Sequence, residues 1–182
     1  MVDWVNVFDE LHPERGASEA DLAALRADLG RGLSDADVAS ICAEQKNPFG
    51  TNEPLYGEWK PFDPRTWSLP NRPLPPVYVD FLRYSNGGTF RTGTRTFDAF
   101  LSTREIRSTL IGYWFPEFLP GALPFAFDGS GGIYAFDTRE EARDGEYPVL
   151  FCMAGAYFHD EALLAGSTFL EACSGRTEPP LL

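Results

Sequence analysis

Apolar positions switch between helical and strand spacing along the chain, and each switch marks an element. Leu22, Leu25 and Leu29 keep helical spacing after Ser18-Glu-Ala-Asp21, a capping pattern, and stop at Gly30. Ser34-Asp-Ala-Asp37 caps a second helix, with Val38, Ile41 and Cys42 placed on one face, ending before Asn47-Pro48. Pro75-Pro76 suits a first helical turn, and Val77, Tyr78, Phe81, Leu82 and Tyr84 carry that helix to the stop Asn86-Gly87-Gly88. Strand spacing follows at Thr89–Arg91 and Thr96–Phe100, around Thr92-Gly93-Thr94. Ser102-Thr-Arg-Glu105 is a further capping box, opening a helix through Ile111. In Leu123–Asp137, Phe125 and Phe127 alternate about Ala126, a glycine-rich turn Asp128-Gly-Ser-Gly-Gly132 follows, and Ile133–Phe136 returns as a second strand. Pro148–Met153 is a compact buried strand, and a last helix, capped near Ser167, carries Phe169, Leu170 and Cys173. Helices and hairpins without regular βα alternation predict an α+β domain.

Three stretches follow neither period. Residues 1–16 open with Val2, Trp4, Val5, Val7 and Phe8, too apolar for a solvated tail, and predict a short strand or helix docked on the body. Residues 47–76 are rich in Pro and Gly but hold Phe49, Tyr56, Trp59, Phe62 and Trp67, so they are expected as an ordered wrap over the core. The loops Tyr113–Phe118 and Arg139–Glu146 are, respectively, aromatic and charged.

Charge narrows the partners. The 182 residues carry a formal net charge of −12, spread along the chain, which disfavours nucleic acid and anionic membranes and favours basic proteins. Arg91, Arg95, Arg104 and Arg107 form a local basic exception, expected to balance nearby carboxylates. Cys42, Cys152 and Cys173 sit in apolar surroundings and are expected as reduced core residues of a cytoplasmic protein. The chain opens without a signal-like leader and has no apolar run near 18 residues, so neither secretion nor a membrane span is expected.

Candidate chemistry is sparse. Asp128–Gly132 resembles a protease nucleophile loop, but Gly129 separates Asp128 from Ser130, and His12 and His159 lie in no triad setting. As a phosphate loop it would need a helix after the glycines, where a strand is expected instead. His159-Asp160-Glu161 near Cys152 suggests neither a catalytic pair nor a metal centre, and no cofactor is expected. Two stretches are candidates for binding a partner. Glu140, Glu141, Asp144 and Glu146 are either a solvated turn or an acidic contact for a basic protein, and Tyr113 and Trp114 are either core or an exposed anchor.

Three motifs stand in order along the chain: Leu74-Pro-Pro-Val-Tyr-Val-Asp-Phe-Leu-Arg-Tyr-Ser-Asn-Gly-Gly88, the Phe125–Asp137 hairpin, and Ser167-Thr-Phe-Leu-Glu171. In order and spacing they resemble the SUKH superfamily of fungal cell-wall-assembly regulators and bacterial immunity proteins. The resemblance spans about Leu69 to Ser174 and implies an α+β domain with a central, mostly antiparallel sheet flanked by helices. On that basis a core at 69–182 carries an N-terminal helical and aromatic elaboration at 1–68, within one globular unit. It further implies a non-enzymatic protein that binds and neutralises a cognate toxin, such as a basic nuclease. A regulatory scaffold, or a ligand-binding or hydrolytic protein using Asp128–Gly132, are the alternative readings. The motif residues themselves are framework and carry no partner-binding role.

Overall fold

The computed structural model describes residues 2–177 and residue 179. After a short 3-10 turn at Trp4–Asn6, the order is β1 (Glu10–Pro13), α1 (Glu19–Gly30), α2 (Asp35–Glu44), α3 (Pro76–Tyr84), β2 (Gly88–Thr92), β3 (Arg95–Phe97) and β4 (Ala99–Phe100). It continues through α4 (Ile106–Gly112), α5 (Phe115–Phe118), β5 (Ala122–Phe127), β6 (Gly132–Asp137), β7 (Val149–Met153), β8 (Leu163–Gly166) and α6 (Phe169–Ser174).

The strands form two antiparallel sheets, β1-β2-β3 and β4-β5-β6-β7-β8, so the fold is α+β. The expected strand Thr96–Phe100 feeds both sheets. Phe97 pairs with Phe90 in the first sheet, the chain bends at Asp98, and Phe100 pairs with Ala126 in the second. In the long hairpin the register slips between Pro124 and Ala126. A proline offers no N–H to the ladder, so a bulge is where a strand tolerates one.

One aromatic core joins the two sheets. Phe97 stacks on Phe100 and lies 4.6 Å from Tyr134, centroid to centroid, and Phe125 lies 4.6 Å from Phe136. Phe169 of α6 meets Trp4, Tyr78, Phe81, Phe100, Phe125 and Phe136, all within 6.2 Å. Aromatic pairs at these separations each contribute about 0.5–1.5 kcal/mol beyond burial of their area.

The caps of α1 and α2 form as the sequence predicts. Ser18 and Ser34 accept from the amides of Asp21 and Asp37, and both aspartates bond back to the cap amides. Two details shift. Ser102 donates to the Glu105 carboxylate, but that turn precedes α4, whose first residue is Ile106. The α6 cap is Thr168, whose hydroxyl accepts from Glu171 N, while Ser167 N donates to the Glu171 carboxylate.

Two expectations are corrected. Cys42 is exposed, while Cys152 and Cys173 are buried. Val38 and Ile41 face the core, and one further residue rotates the next side chain by about 100°, toward water. Among the described residues, Arg95 balances no carboxylate. It is buried, donating from Nη1 to Ala165 O and Ala172 O and from Nε to Thr177 O, at 2.9, 2.6 and 3.0 Å. Arg107, also buried, bonds the carbonyls of Asp28, Arg31 and Gly32 at the end of α1, and reaches the Asp37 carboxylate at 3.4 Å.

Candidate functional site

The glycine-rich turn between β5 and β6 is organised by its own aspartate. Asp128 Oδ1 accepts from Ser130 N and Gly132 N at 2.8 and 2.6 Å, and Oδ2 accepts from the Ser130 hydroxyl at 2.6 Å. Gly132 is tightly enclosed, since a Cβ there would lie 2.3 Å from the Phe151 ring. The Ser130 hydroxyl is thus engaged within the loop, and neither histidine bonds to it. His12 lies in β1 opposite Thr89, and His159 Nε2 bonds Pro120 O at 2.9 Å. Burial in β7 pushes the Cys152 thiol up to about 12, far from a reactive thiolate at neutral pH. Among the described residues, no three His, Cys, Asp or Glu side chains group as metal ligands.

The charged stretch Arg139–Glu146 closes on itself. Arg143 and Glu146 exchange backbone hydrogen bonds of 2.9 and 3.0 Å across Asp144-Gly145, both with positive φ, the conformation of a type I′ turn. Glu140, Glu141 and Asp144 are exposed, with Glu140 beside Arg143 and Glu141 bonded to Arg72. Glu146 is different. Half-buried, it accepts from Phe169 N at the start of α6, and burial pushes its carboxyl above the usual range. A recess of about 450 Å³ opens beside the turn, with Leu164 of the edge strand β8 on its wall.

Tyr113 and Trp114 occupy another place. They line a cleft of about 310 Å³ with Phe118, Tyr157 and Phe158, and it shares no lining residue with the charged recess. Tyr113 is 46% exposed and Phe158 45%. Trp114 adopts the left-handed conformation, φ 54° and ψ 35°, which costs a bulky L-residue about 1–3 kcal/mol. The surroundings hold it there. Phe62 packs edge-on against the Trp114 ring at 5.0 Å and stacks on Trp67, whose Nε1 donates to Glu117 at 2.8 Å. Phe62 and Trp67 thereby back the Trp114 ring from outside the cleft, while Tyr56 of the same stretch is exposed.

Sequence reasoning missed a groove of about 560 Å³ that begins at Tyr113 and Phe127 and carries the exposed carboxylates of Glu14, Asp98 and Glu105. Each is an isolated acid in the sequence. Only the pairing of β1 with β2 and the bend at Asp98 bring them together, so no local signal marks them.

The family model of the SMI1 / KNR4 family (SUKH-1) matches residues 67–171, more than half of the chain. The chain belongs to the SUKH-1 family. The SUKH-1 span includes the Asp128–Gly132 hairpin, the charged turn, and all of the lining residues of the aromatic cleft, while Glu14 and Phe62 lie outside it. No curated protein matches the chain. Among the described residues, no helix of this SUKH-1 protein is long and apolar enough to cross a membrane.

Proposed function

We propose that this SUKH-1 protein is a non-enzymatic immunity protein that acts in the cytoplasm, occluding a cognate bacterial toxin of basic character such as a nuclease. The observation that carries the reading is the grouping of exposed aromatic side chains, Tyr113 and Phe158, in a cleft on a strongly acidic surface. Aromatic anchors of this kind dominate protein interfaces, and a net charge of −12 attracts a basic partner over long range. A nuclease must be basic where it grips phosphate, so an acidic blocker competes for that surface. The internal bonding of Ser130 also favours a framework role for the glycine loop over a hydrolytic one.

Co-expression with the product of the neighbouring gene tests this. The expected result is that the neighbour alone arrests growth and that co-expression restores it. A harmless neighbour, or toxicity undiminished by this protein, rejects the reading. Ser130→Ala is expected to protect as well as wild type, because it removes one exposed hydrogen bond and no nucleophile.

A further inference from the structure

Tyr113 stands where two recesses meet. On one side is the aromatic cleft, with Trp114 and Phe158; on the other is the groove with Glu14, Asp98 and Glu105. The two have complementary chemistry, one apolar and one anionic, and no Lys or Arg lines either.

The groove's charge is uncompensated. Among the described residues, ten carboxylates lie within 4.0 Å of an arginine, and Glu14, Asp98 and Glu105 are not among them. Glu105 accepts only from Ser102, which leaves its charge unneutralised. All three side chains are exposed, so their field reaches into solvent. In the cleft beside them, Trp114 keeps a strained backbone, and among the described residues its buried indole Nε1 has no hydrogen-bond partner. Strain of this kind gathers where side chains are positioned for a task rather than for stability.

Resting on the reading of the chain as a protein-binding module, we propose that cleft and groove form one continuous docking surface for an extended, arginine-bearing segment of a basic protein partner. An aromatic or aliphatic side chain of the segment seats against Tyr113, Trp114 and Phe158. Its arginines follow along Glu14, Asp98 and Glu105, and the guanidinium nearest the junction stacks on the Tyr113 ring. The charge complementarity selects a basic segment, and the apolar cleft fixes its register.

The full chain is titrated with a short synthetic peptide of alternating arginine and tryptophan, with a glutamate-for-arginine peptide as control. The indole N–H resonance of Trp114 is followed by NMR, with those of Trp4 and Trp59 as references. The expected result is a saturable shift at Trp114 with the arginine peptide only. Tyr113→Ala combined with Phe158→Ser should weaken binding about tenfold or more. The triple variant Glu14→Gln, Asp98→Asn, Glu105→Gln leaves the core untouched and should weaken binding severalfold at low salt. Glu140→Gln, Glu141→Gln, Asp144→Asn alters net charge by the same amount away from the cleft, and should change it far less. The absence of a Trp114 shift, or equal effects of the two triple variants, overturns the surface. Protection in co-expression is read separately, so a toxin reading that fails there does not decide the cleft, and the reverse also holds.

Discussion

Arg95 shows how much one side chain can organise. Its guanidinium bonds three carbonyls, from β8, from α6 and from Thr177, and no carboxylate among the described residues. Arg95→Met fills similar space but strands those acceptors, so it should cost about 2–4 kcal/mol, seen as a lower denaturation midpoint with an unchanged slope. A stability equal to wild type would mean that water replaces the guanidinium without loss. The thiols give a second test at this scale. Burial raises Cys152 to about 12 and Cys173 well above its usual range, whereas Cys42 is exposed. A thiol reagent near neutral pH should therefore titrate one cysteine in the native protein and three after unfolding. Reaction of more than one in the native state would show that the core opens readily.

At the scale of elements, the helix caps respond to pH. Bonds from Ser34, the backbone N–H above all, hold the Asp37 carboxyl below its usual range, and Arg107 adds to this. A lowered folded-state value means stability that is present above the ordinary 3.8 and is lost as the pH falls through the folded value. Asp37→Asn should therefore cost about 0.5–1 kcal/mol at neutral pH. That gap should close below pH 3.8 when unfolding midpoints are compared across pH; a gap constant down to strong acid would assign the cap's effect to shape rather than charge. The two N-terminal helices, α1 and α2, were legible in the sequence because the cap, the acid three residues on and the apolar spacing agree locally. The long hairpin was legible for the same reason, through alternation and a glycine turn. Strand β8 was not, since Leu163-Leu-Ala-Gly166 has no alternation and extends only because β7 offers an open edge. Strand β1 lies in residues 1–16, where a short strand or helix was expected, but its place at His12 and Pro13 is set by β2. In the proposed docking surface, Tyr113 and Trp114 stood out as an aromatic cluster, but the carboxylates beside them are a product of tertiary pairing. Glu146 looked like its acidic neighbours in the sequence, and only its burial and its bond to Phe169 N, both products of the fold, separate it from them.

For the whole molecule, charge governs encounter and the aromatic core governs integrity. Association with a basic partner should slow as salt rises, because the field of a −12 chain is screened over about 10 Å at 0.1 M salt. Reversing Glu140, Glu141 and Asp144 to Lys should slow association at low salt through net charge alone. A collapse of the complex, measured as a much faster dissociation, would instead place the contact on that turn. The six-ring environment of Phe169 has a consequence for the order in which the protein is made. A ribosome delivers Trp4 and Tyr78 long before residue 169 emerges, so their rings wait without the partner that completes their shell. Throughout that interval the nascent chain presents a sticky aromatic surface to the cell. Its safe birth therefore depends on how quickly the last helix follows, or on a chaperone that shields the rings until it does.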